Sequence, residues 1–143
     1  MSFNYWFIEH TADIAFQAEA DTVEELFTAS AYGWKETLLE ETVIEAINEK
    51  EIILSESSLE ELLVYFLDEL NFLLNTKKWI LSSVTDIKIK NEKDIWHLSA
   101  KISGEELNPG KHEIKVEIKA VTFHQMDVKY ENEKYRTRVV FDI

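Results

Sequence analysis

The chain has 143 residues, enough for one domain with a sizeable core, and 28 Asp and Glu against 15 Lys and Arg give a formal net charge of −13. A field of that sign repels a phosphate backbone, which excludes direct, counterion-releasing contact with nucleic acid as the main activity; any link to RNA is expected to run through a protein partner. There is no Cys, so disulfides, thiolate metal sites and thiol nucleophiles are excluded, and three Gly with one Pro argue against long flexible linkers.

The start, Met1-Ser2-Phe3-Asn4-Tyr5-Trp6, has neither the basic nor the apolar region of a signal peptide. No apolar run approaches the roughly 20 residues of a membrane span, so a cytoplasmic protein with no membrane partner is expected. Phe3, Tyr5 and Phe7 alternate as a strand, as do Ile14, Phe16 and Ala18. Between them Glu9-His10-Thr11-Ala12-Asp13 reads as a tight polar connection, because Asp bonds its own backbone two residues on. Thr22-Val23-Glu24-Glu25 is a capping box that opens a helix over about 22–39. Its stripe is Val23, Leu26, Phe27, Ala31, Trp34 and Leu38, broken only by Ser30 and weakened slightly by Gly33.

A strand is predicted from about Val43 to Leu54. Ser58-Leu59-Glu60-Glu61 then repeats the capping box and opens the stronger helix, over about 58–75, with Lys77 and Lys78 at its end. Four further strands are predicted at about 80–90, 95–103, 113–121 and 135–143, with a short one within 125–130 before a turn at Glu131-Asn132-Glu133. Asn108-Pro109-Gly110 is the one strong turn signal. The order predicts an α+β fold: one domain over 1–143, with a mostly antiparallel or mixed sheet and two amphipathic helices packed on it.

Signatures of catalysis are absent. No phosphate loop, dinucleotide fingerprint or nucleophile elbow occurs, and His10, His97, His112 and His124 lack zinc-site spacing. The closing strand puts Tyr135, Thr137, Val139, Phe141 and Ile143 on one face and Arg136, Arg138 and Asp142 on the other. An ordered end at Ile143 would set a terminal carboxylate one residue from the Asp142 side chain, an oxygen density that suits a hard cation. For the charge alone, solubility is the plainer explanation.

Four stretches resemble the archease family: Glu9-His10-Thr11-Ala12-Asp13-Ile14; Leu59 to Leu74 with its Leu62-Leu63-Val64-Tyr65-Phe66-Leu67 run; Lys119-Ala120-Val121-Thr122-Phe123-His124; and Arg138-Val139-Val140-Phe141-Asp142-Ile143. Their order and spacing cover nearly the whole chain. The sequence departs from the family pattern at Ala15 and at Gln125-Met126, where Gly and Gly-Leu are usual.

The resemblance implies a non-enzymatic accessory of an RtcB-type tRNA-splicing RNA ligase, one that promotes guanylylation and repeated turnover. It implies a divalent cation, Ca²⁺ first and Mg²⁺ or Mn²⁺ as alternatives, held by Asp13, Asp142 and the main-chain or terminal oxygens of Ile143. His10, Lys119 and His124 would then be the polar groups that reach the ligase or its guanylate site, and RNA would be met only indirectly. Two rival readings are a metal-dependent phosphoesterase built on His10, Asp13, His124 and Asp142, and a general protein chaperone without a metal.

Overall fold

A computed structural model describes residues 2–8, 13–39 and 43–143. Both helices begin where their capping boxes predict. In α1 (Val23–Leu38) the Thr22 Oγ1 accepts from the Glu25 N–H, and in α2 (Leu59–Asn75) the Ser58 Oγ accepts from the Glu61 N–H. The boxes close through the hydroxyls, which donate to Glu25 Oε1 at 3.0 Å and Glu61 Oε1 at 3.1 Å. Ser30, the break in the α1 stripe, is buried and returns its hydroxyl to the Leu26 carbonyl at 2.9 Å. Gly33 lies under the Phe16 ring, where a Cβ would come within 2.6 Å of Cζ, so the glycine that weakens α1 also lets it seat on the sheet.

The strands form two antiparallel sheets rather than one. The larger contains β1 (Phe3–Ile8), β2 (Ile14–Ala20), β6 (Ala120–Thr122), β7 (Lys129–Glu131) and β8 (Lys134–Asp142). Its order is β1-β2-β8-β6, with β7 also paired to β8. The smaller runs β3-β5-β4, from β3 (Asn48–Glu56), β4 (Trp79–Glu92) and β5 (Ile95–Glu106). Two hairpins turn without glycine: Lys93 and Asp94 between β4 and β5, and Asn132 and Glu133 between β7 and β8, all take positive φ.

Two expected strands differ from those observed. Residues 43–47 precede β3 without strand geometry; their Ile47 N–H donates to the Gly104 carbonyl at 2.9 Å. The 113–121 alternation yields only β6 at its end. The segment before it crosses between the sheets along the end of α1, where Ile114 bridges Leu39 and the Lys115 N–H donates to the Leu38 carbonyl at 2.8 Å. Ile118 is buried by packing, not by a ladder, and that mimics a strand's period.

One continuous core joins both sheets and both helices, including Phe16, Leu26, Phe27, Phe66, Leu98 and Phe141. A buried polar thread crosses it. The Trp34 indole N–H donates to Asn71 Oδ1 at 3.0 Å, and Asn71 Nδ2 donates to the Ile118 carbonyl at 2.8 Å. It satisfies the three groups while tying α1, α2 and the crossing segment together.

Candidate functional site

The β2–β8 register places the predicted carboxylates. Ile14 pairs with Phe141, Phe16 with Val139 and Ala18 with Thr137, residues whose side chains face the core, and the ladder ends at Ile14. Asp13 lies in a bend one residue before the last pair of this ladder, and Asp142 one residue after it on β8. By strand alternation Asp142 shares the outer face with Gln17, Glu19, Arg136 and Arg138. On the other side of β8, Ala120 pairs with Asp142 and Thr122 with Val140. At this end of the sheet Asp142 and Ile143 are exposed and Asp13 is half-buried.

The other predicted site residues divide. Lys119 immediately precedes β6, and its N–H donates to the Asp142 carbonyl at 2.8 Å. His124 lies just past β6, where its N–H donates to Thr122 Oγ1 at 3.3 Å while that hydroxyl donates to the Val140 carbonyl at 3.0 Å. Lys119 therefore sits beside Asp142, whereas β6 runs antiparallel to β8 and carries His124 past Val140, away from Asp142 and toward Arg138, whose Nη1 donates to Gln125 Oε1 at 2.6 Å. His10 lies outside the described residues. The remaining histidines are elsewhere: His97 meets Ser55 at 2.7 Å on the smaller sheet, and His112 is buried beyond the end of β5.

Among the described residues no group of three or more His, Cys, Asp or Glu is gathered as a metal site would require. The candidate ligands at this end of the sheet are the Asp13 and Asp142 carboxylates and the main-chain oxygens of Ile143. All are hard oxygen donors, fitting a cation that keeps part of its water shell, such as Ca²⁺ or Mg²⁺. It does not fit a zinc-type centre.

Sequence reasoning missed a second polar cluster at the junction of the sheets. The buried Glu105 accepts from the Glu45 N–H at 2.6 Å and from Lys111 Nζ at 3.1 Å to each oxygen. His112 Nδ1 accepts from the Asn108 N–H at 2.9 Å, leaving Nε2 3.2 Å from Glu105 Oε2 without the alignment of a full hydrogen bond. The Glu45 N–H, with Lys111 and His112 behind it, holds the Glu105 carboxyl down to about 2 against the opposing effect of burial. The sequence signal was the Lys111-His112 pair after the Asn108-Pro109-Gly110 turn; its burial against Glu105 was not legible. With His112 Nδ1 engaged by a backbone N–H, the cluster fastens the chain and offers no free base.

The family model described as Archease protein family (MTH1598/TM1083) matches residues 5–143. The chain belongs to the archease family. Two relatives named Protein archease match almost end to end. The one from Methanosarcina mazei is 33% identical over 97% of this chain and 95% of its own length. The one from Methanothermobacter thermautotrophicus is 35% identical over 96% of each.

Solved structures of the family share the fold. The solution structure of Methanobacterium thermoautotrophicum protein 1598 superposes with a TM-score of 0.83 at 32% identity, covering 97% of this chain and 98% of that one. The crystal structure of a Thermotoga maritima archease, described as a possible chaperone, gives 0.56 at 27% identity over 95% and 94%. Two helices on antiparallel sheets, the expected α+β class, are therefore the archease fold. Among the described residues no helix is long and apolar enough to cross a membrane.

Proposed function

We propose that this protein is a non-enzymatic accessory of an RtcB-type RNA ligase, which it helps to become guanylylated and to turn over repeatedly. The cation of this reading is held at the sheet end by Asp13, Asp142 and the oxygens of Ile143. The observation that supports the proposal is the Ile14–Phe141 pairing, whose neighbours in sequence, Asp13 and Asp142, both follow it at the same end of the β2–β8 ladder. When bound, a divalent ion supplies positive charge that neutralises the two carboxylates and cross-links β2 to β8. The chain's own groups do the rest. The Lys119 N–H orients the Asp142 carbonyl, and the Thr122 hydroxyl fixes the turn that carries His124. A net charge of −13 favours encounter with a partner that is basic because it holds RNA.

The experiment that tests this combines Asp13→Asn with Asp142→Asn and measures Ca²⁺ affinity and ligase stimulation on the same preparation. Loss of both supports the reading; retention of both removes the cation from it. A second reading, a general chaperone, draws on the description of the Thermotoga maritima relative as a possible chaperone. It predicts suppressed aggregation of unrelated client proteins, undiminished by chelator.

A further inference from the structure

Two exposed aromatic side chains meet where α2 passes the end of β6. Tyr65, on the outward face of α2, is 41% exposed, and Phe123, just past β6, is 50% exposed. Their rings pack edge to face, with centroids 6.2 Å apart and planes at 76°. Neither completes the core, yet both are held rigidly: Tyr65 by the helix, Phe123 by the Thr122 hydroxyl bonds on either side of it. A rigid, contiguous aromatic pair is the kind of exposed apolar surface that serves as a binding anchor, unlike apolar residues scattered singly.

The surroundings define what fits. Helical spacing places Glu61, Asp68 and Glu69 around Tyr65 on the α2 surface. Phe123 follows β6 at the end away from Asp142, since Ala120 pairs with Asp142 and Thr122 with Val140. The anchor is thus rimmed by the carboxylates of α2, of which Asp68 also accepts the Val121 N–H. Complementary chemistry is an apolar or aromatic tip flanked by Lys or Arg, which a basic, RNA-handling protein presents and a nucleic acid or a second copy of this acidic chain does not.

We propose that Tyr65 and Phe123 form the anchor on which a basic segment of the ligase docks. This rests on the accessory reading above, and the test separates the two. Binding of the purified protein to purified RtcB-type ligase is measured by interferometry for the wild type, the Tyr65→Ser/Phe123→Ser double variant and Phe123→Lys. Ile53→Ser is the control, its residue 68% exposed on the smaller sheet. Melting curves confirm that each variant folds, and sedimentation reports self-association.

The expected result is that both anchor variants bind at least about tenfold more weakly while Ile53→Ser binds as the wild type does, and that the wild-type affinity falls with added salt. Wild-type binding that the anchor variants leave intact overturns the docking surface and spares the accessory role. Anchor variants that alter self-association and not ligase binding assign the surface to a second copy, which also overturns it. A wild type that binds no ligase defeats the accessory reading itself, and the anchor with it.

Discussion

Ile14 pairs with Phe141 across the β2–β8 ladder, and the next residue along each strand at the open end is an aspartate, Asp13 on one and Asp142 on the other. The core draws Phe141 inward until it is fully buried, and leaves Ile14 half-buried. Alternation then sends the Asp142 carboxylate to the opposite face, and a one-residue slip would turn it inward. Asp13→Asn or Asp142→Asn alone is expected to weaken Ca²⁺ binding by at least about tenfold, roughly 1.4 kcal/mol. Calorimetry measures the affinity, and an unchanged circular dichroism spectrum shows that the fold survives.

The thread from Trp34 through Asn71 to Ile118 gives a stability prediction. Asn71→Leu leaves the indole N–H and the Ile118 carbonyl buried without partners. With about 1–3 kcal/mol for each orphaned group, partly relieved by relaxation, the loss should be about 2–4 kcal/mol. The urea midpoint should fall with little change in slope.

Two glycines should respond oppositely to alanine. A Cβ at Gly104 would collide with the Ile80 carbonyl and lie 2.8 Å from the Trp79 ring, inside the β4–β5 ladder where neither backbone can yield. Gly104→Ala should cost about 3 kcal/mol. At Gly110 the nearest atom, Asn108 Oδ1, would be 3.4 Å away on an exposed turn, and Gly110→Ala should be close to neutral. Thermal melting of the pair distinguishes them.

Acid should loosen the junction of the sheets through Glu105. Its folded pKa, about 2, lies below the ordinary 4.5, so the unfolded chain takes up the proton first as pH falls. The stability this group contributes is fully present above about pH 4.5 and is lost progressively between there and about pH 2. Melting temperatures of wild type and Glu105→Gln should differ by a constant gap from pH 7 to 5, and the gap should close below 4.5.

Sequence legibility followed how local each determinant was. Thr22 and Ser58 signal their helices because a capping box is settled within four residues. The β4–β5 hairpin is visible in its alternation, but its turn at Lys93 and Asp94 is not, since neither residue advertises the positive φ it adopts. Period alone misreads Glu113 to Lys119, where Ile118 is buried against helices instead of within a ladder. Alternation also cannot tell which strand edges meet, so two sheets were not foreseen. For the same reason the grouping of Asp13 with Asp142 as one site rests on family resemblance. Tyr65 falls outside the apolar stripe of its helix and carries no signal of its own, and only the tertiary fold brings Phe123 to it.

The central claim is tested most directly by counting ligated RNA products per molecule of RtcB-type ligase, with ligase limiting and GTP in excess, in the presence and absence of this protein. The accessory role predicts about one product or fewer per ligase without the protein and many with it, the increase being lost in the Asp13→Asn/Asp142→Asn variant. Product counts that stay at single turnover when the wild-type protein is added would contradict it.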